Sequence, residues 1–75
     1  MKSKIKIILE DIIPKGKKIN EKTDLIKKGY LDSFSALTLI MSIEQKFKMK
    51  ISLNKLDISN LGSIEKIEKF LKKNK

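Results

Sequence analysis

Apolar residues recur at spacings of three and four in three separate stretches of this chain, and each stretch predicts one buried face of a helix. In the first, Ile5, Ile8, Leu9 and Ile12 stand at i, i+3, i+4 and i+7, with Ser3 as the predicted N-cap and Pro14 followed by Gly16 as the stop. Lys4 and Lys6 oppose the helix dipole in its first turn, so this end is expected to fray. In the second, Ala36, Leu39, Ile40, Ile43 and Phe47 share one stripe behind an N-cap at Asp32, with Ser33 in the first turn. In the third, Ile64, Ile67, Phe70 and Leu71 line a helix from Ile64 to about Lys73, capped by Ser63. Glu65 at its start and Lys69, Lys72 and Lys73 at its end suit the dipole.

Between the first two helices, residues 14–32 make a long connection that carries its own anchors, Ile19, Leu25, Ile26, Tyr30 and Leu31. Thr23 or Asp24 caps a single predicted turn through Lys28, which Gly29 ends in a left-handed conformation. After Phe47 an extended linker, with Met49, Ile51 and Leu53 on one side, is pinned by Ile51. Asn54 is predicted to cap a short helical piece through about Ser59, anchored by Leu56, with Ile58 or Leu61 touching the core. The tail Asn74-Lys75 is expected to be loose. The expectation is an all-α, antiparallel four-helix bundle: three main helices, one short third helix, and a long ordered loop between helices 1 and 2. A single domain over residues 1–75 would hold it.

The middle helix carries more apolar surface than a bundle requires. Besides its core stripe and a polar face of Ser35, Ser42 and Lys46, with Thr38 at the margin, it has a second apolar stripe of Phe34, Leu37 and Met41, bordered by Glu44 and Gln45. That stripe is either covered by neighbouring elements or is an exposed docking face, and for Leu37 both readings stay open. Met41 suits docking, because its flexible thioether adapts to different surfaces.

Composition narrows the chemistry. A chain of 75 residues buries only about 60% of the surface its unfolded form exposes, so the core has to be simple. With no cysteine and no histidine, disulfides, thiolate nucleophiles, zinc sites of the usual kinds and Ser-His pairs are all excluded. No apolar run approaches the length of a membrane span and no signal-peptide core follows Met1, so a cytoplasmic location is expected. The formal net charge of +9 is unevenly spread. Residues 1–22 hold seven lysines against three acids and residues 46–75 nine against three, whereas residues 23–45 hold two lysines against three acids. Only the segment around Ser33 is not basic.

The order of parts, with Gly29-Tyr30-Leu31-Asp32-Ser33-Phe34 at the loop–helix junction, Asp24-Leu25 upstream and Leu39 to Phe47 downstream, resembles the acyl carrier and peptidyl carrier protein family over nearly the whole chain. The resemblance implies that Ser33 receives 4′-phosphopantetheine from coenzyme A through a phosphodiester, placed by a separate phosphopantetheinyl transferase. The terminal thiol of that arm then holds an acyl or aminoacyl cargo as a thioester. It further implies that Asp32 is the adjacent acid that helps position the modifying enzyme and its magnesium. Phe34, Leu37, Met41 and Glu44 become the candidate partner face, read by a loading ligase and downstream transferases. A monomer, with no catalytic residue and no metal site of its own, is expected. A phosphate at a helix N-terminus would meet unpaired backbone N–H groups and the positive dipole end. The Gly-x-Leu-Asp-Ser-Phe form is closer to D-alanyl, peptidyl and stand-alone specialised carriers than to the Gly-Ala-Asp-Ser-Leu of carriers in fatty acid biosynthesis. Charge is the departure: many carriers present several carboxylates after the serine, and here that helix retains only Glu44. A partner surface of ordinary or acidic character fits better than a basic one.

The main alternative is a small basic helical module that binds nucleic acid non-specifically through lysines. Against it, residues 33–47 carry a single lysine, Lys46, and the chain has no arginine for bidentate readout of guanine and only one tyrosine for stacking. No nucleic-acid partner is therefore expected. Catalysis is not expected either: Asp24, Asp32 and Glu44 are spread along loop and helix, and a Ser-Lys pair would need Lys27 or Lys28 buried beside Ser33, for which no pattern argues.

Overall fold

Three α-helices form where the three stripes predict them, in a computed structural model that describes residues 2–52, 54 and 56–73. They are α1, Lys2–Ile12, α2, Ser33–Phe47, and α3, Ile64–Lys73, with a 3₁₀ helix at Ile58–Leu61 before α3. Among the described residues there is no strand. Helix α1 packs against both α2 and α3, while the 3₁₀ helix touches α2 and α3. Among the described residues every buried hydrophobic side chain is aliphatic, and Tyr30, Phe47 and Phe70 pack around the margin. None of the described helices is long and apolar enough to cross a membrane.

Helix α1 differs from expectation at both ends. It begins at Lys2, so Ser3 lies inside the first turn and is not the N-cap. Ion pairs from the Lys2 ammonium to Glu21 (3.5 Å) and Glu68 (3.8 Å) offset the basic first turn and tie it to the loop and to α3. At the other end Ile13, not Ile12, completes the buried face. The Ile13 N–H still donates to the Leu9 carbonyl at 2.8 Å, so the helical path carries on and places Ile13 one turn above the fully buried Leu9.

The long loop is ordered by local hydrogen bonds and by its anchors. Ile19, Leu25 and Leu31 are buried, and Ile26 and Tyr30 partly so. Asp24 caps the turn, accepting from the Lys27 N–H at 2.9 Å, because the Thr23 hydroxyl already accepts from Asn20 N–H. Gly29 has φ +78°, and Tyr30 N–H donates to the Leu25 carbonyl at 2.8 Å, a Schellman closure that needs a residue tolerant of left-handed backbone. Two main-chain bonds then stitch the loop to the start of α3: Leu25 N–H to the Gly62 carbonyl (2.7 Å) and Glu65 N–H to the Glu21 carbonyl (3.0 Å). This braces the approach to Asp32 from outside the loop itself.

The linker after α2 is pinned as expected by buried Ile51, while Leu53 and the tail Asn74-Lys75 lie outside the described residues. Asn54 is in 3₁₀ conformation, and a 3₁₀ helix follows at Ile58–Leu61, reaching beyond the predicted end at Ser59. Its cap is Asp57, whose carboxylate accepts from Ser59 N–H while the Asn60 side chain accepts from Asp57 N–H. This reciprocal box places the turn over residues 58–61 and buries Leu61 completely. Ser63 caps α3 as predicted, its hydroxyl accepting from Lys66 N–H at 3.2 Å.

Candidate functional site

Asp32 and Ser33 meet where the braced loop turns into α2. Asp32 has extended backbone, and its carboxylate accepts the Ser35 N–H at 2.8 Å, while its carbonyl accepts the Ala36 N–H. Those two bonds fix the start of the helix at Ser33. Hydrogen bonds from Ser35, first its backbone N–H and then its hydroxyl, hold the Asp32 carboxyl below the usual aspartate range. The acid is thus a carboxylate at neutral pH, beside a serine whose side chain is exposed.

Ser33 opens onto a shallow groove of about 240 Å³, walled by Ala36, Leu37 and Ile40 of α2 and by Leu56, Ile58 and Leu61 across from them. Leu56 and Ile58 were not predicted to line it. The signal was present in the Asp57-x-x-Asn60 capping pair, which aims Leu61 inward and leaves Ile58 at the rim. Beside the groove, Phe34 is 80% exposed, Met41 59% and Leu37 48%. The second stripe of α2 is therefore not covered by the described residues.

Glu44 sits differently from the other candidate partner residues. One of its carboxylate oxygens accepts the Ile51 N–H at 2.9 Å in a partly buried setting, tying the end of α2 to the linker. The turn between them is closed by Lys48, in left-handed backbone at φ 51°, and by Met49 N–H on the Glu44 carbonyl. Ser33, Leu37 and Ile58 come together at one groove, whereas the Glu44 side chain is directed into the α2–linker corner.

The family model for the phosphopantetheine attachment site matches residues 3–70, nearly the full length of the chain. The chain belongs to the phosphopantetheine-attachment family. Members of that family carry 4′-phosphopantetheine covalently on a serine. Among solved structures, the chain is similar to one in the crystal structure of Bradyrhizobium japonicum glycine:[carrier protein] ligase complexed with glycylated carrier protein. The two share 20% identity with a TM-score of 0.78, over 92% of this chain and 95% of that one. At that identity the likeness establishes the fold. No curated protein matches the chain.

The residues present suit the family's prosthetic group. An exposed hydroxyl stands at the first position of a helix of fifteen residues, where leading backbone N–H groups have no partner within the helix and favour a phosphate. The apolar groove beside it offers a wall for an extended arm.

Proposed function

We propose that the protein is a carrier in which Ser33 is the attachment residue and Asp32 the neighbouring acid presented to the transferase. The observation that carries this reading is the exposed serine at the N-terminus of α2, behind a carboxylate cap, inside the stretch matched by the family model. When bound, the arm supplies a terminal thiol that holds an acyl or aminoacyl cargo as a thioester. The chain's own part is to place the Ser33 hydroxyl clear of the core, to keep Asp32 ionised, and to offer Phe34, Leu37 and Met41 beside it as a surface for partner enzymes. It acts as a modified and loaded substrate of those enzymes, as a single cytoplasmic domain and a monomer. The segment Ile58–Leu61 stands in for the short third helix of a four-helix carrier bundle.

An aminoacyl cargo attached by a ligase is favoured by the Gly-x-Leu-Asp-Ser-Phe junction, and the structural neighbour is itself a glycylated carrier. The test is intact mass after incubation with coenzyme A, magnesium and a broad-specificity phosphopantetheinyl transferase. A single added phosphopantetheine is expected on the wild-type chain and none on Ser33→Ala. Unchanged wild-type mass, with a folded protein and a transferase active on a control carrier, would refute the reading.

A further inference from the structure

The surface around Ser33 combines an apolar stripe with four lysines and four acids, and the structure shows that the two signs are used differently. Asp24, Asp32 and Asp57 each cap a turn or helix through a backbone N–H, and Glu44 accepts the Ile51 N–H. At an N-cap the negative charge faces the positive end of the backbone dipoles, which reduces the field it projects outward. The lysines of the same region are placed otherwise. Lys27 and Lys28 in the turn before the site, and Lys46 and Lys48 at the far end of α2, are exposed and make no ion pair among the described residues.

Between these lysines lies the one continuous exposed apolar surface of α2. Phe34, Leu37 and Met41 follow one another at i, i+3 and i+7, the spacing by which a helix lays anchors into a partner's groove, and Ile58 extends the surface from the 3₁₀ helix. The geometry points to a protein partner with an apolar pocket for Phe34 and Leu37, rimmed by aspartate and glutamate. This rests on the reading of Ser33 as the attachment site. Burial of the stripe supplies contact, and the lysines supply steering and exclude enzymes with a basic rim, because like charges brought together across an interface are costly. A nucleic acid would satisfy the lysines but not four aliphatic and aromatic side chains; an anionic membrane would satisfy both, and is an arm of the test.

The probe is one phosphopantetheinyl transferase in two forms that differ only in whether lysines or glutamates rim the carrier-docking cleft. The rate of mass gain on the full chain is followed by intact-mass spectrometry from about 10 mM to 300 mM KCl. The glutamate-rimmed form is expected to be about tenfold faster at low salt, to lose that advantage at high salt, and to lose it also on the Lys27→Glu/Lys28→Glu carrier. Phe34→Ala, at an exposed position, is expected to slow both forms without changing the melting temperature. Equal rates for the two forms, or a faster lysine-rimmed form, would overturn the inference while leaving Ser33 as the site. No mass gain with either form would overturn the Ser33 reading, and this inference with it. Sedimentation with anionic vesicles at 150 mM KCl that Phe34→Ala abolishes would assign the face to lipid and overturn it as well.

Discussion

At Asp32 one carboxylate serves both the fold and the candidate chemistry, and pH separates the two. Hydrogen bonds from Ser35 lower its folded-state pKa, while in the unfolded chain it titrates near the ordinary value of about 3.9. Because the folded value is the lower one, the unfolded state binds more protons in the interval between them, and stability rises with pH there. The contribution is complete above about pH 4 and is lost as pH falls through the folded-state value. Asn is nearly as good an N-cap but does not titrate. Comparing wild type with Asp32→Asn by thermal melts from pH 7 to pH 2.5 is expected to show the wild type losing ground to the variant only below about pH 4. A difference that stays constant over the whole range would show that the cap does not titrate in the way the Ser35 bonds require. Ser33, next to it, has no such dual role: its side chain is exposed, so Ser33→Ala removes the hydroxyl with little effect on folding.

Among the elements, the corner after α2 carries the clearest case of a side chain whose structural use could not be read from its position on a helical wheel. Glu44 falls on the border of the exposed stripe, yet its carboxylate holds Ile51 N–H, and Ile51 is a buried anchor. Glu44→Ala leaves that partly buried donor unpaired and is expected to cost about 1–3 kcal/mol in urea unfolding. Glu44→Gln keeps an acceptor and should recover most of it; equal losses in both variants would argue against the bond. The same kind of non-local pairing separates what was legible in the sequence from what was not. The stripes of α2 and α3, the Asp32 and Ser63 caps, and the Gly29 stop follow from spacing and local chemistry, and the structure has them where they were predicted. The start of α1 was misplaced because Lys2 is paired by Glu21 and Glu68, which are distant in sequence. The turn at Ile58–Leu61 was not separated from the piece predicted to begin at Asn54, because Asn54 and Asp57 are both good caps in isolation and it is Asp57 that has Asn60 three residues on to complete the box. The exposed stripe was visible in the sequence, but its exposure was not, since that depends on which elements pack beside α2.

The molecule as a whole sets repulsion against a few exposed attractions. A net charge of +9 is confined to a body of about 32 × 21 × 19 Å, so at 0.01 M salt, where the screening length is about 30 Å, every lysine acts on every other. Opposing this repulsion, ion pairs among the described residues join Lys2 to Glu21 and Glu68, and Lys72 to Glu68, at 3.5–3.8 Å, with both lysines well exposed. Exposed pairs of this kind contribute about 0–1 kcal/mol each and weaken in salt. Two of these share Glu68, so their sum is small beside a net charge of +9. Net charge of this size destabilises a compact state through self-repulsion, and raising KCl from 0.01 M to 0.1 M shortens the screening length to about 10 Å, half the molecule's width. The melting temperature is therefore expected to rise over that range by roughly 4–8 °C for each kcal/mol of repulsion relieved. Chloride is the appropriate anion, because phosphate or sulfate could bind at the start of α2 and stabilise by mass action instead. A melting temperature that falls as KCl is added would mean that the pairs at Lys2 and Lys72 outweigh the repulsion. The lysines would then be matched charges of the fold, and not an unspent positive field available to a partner.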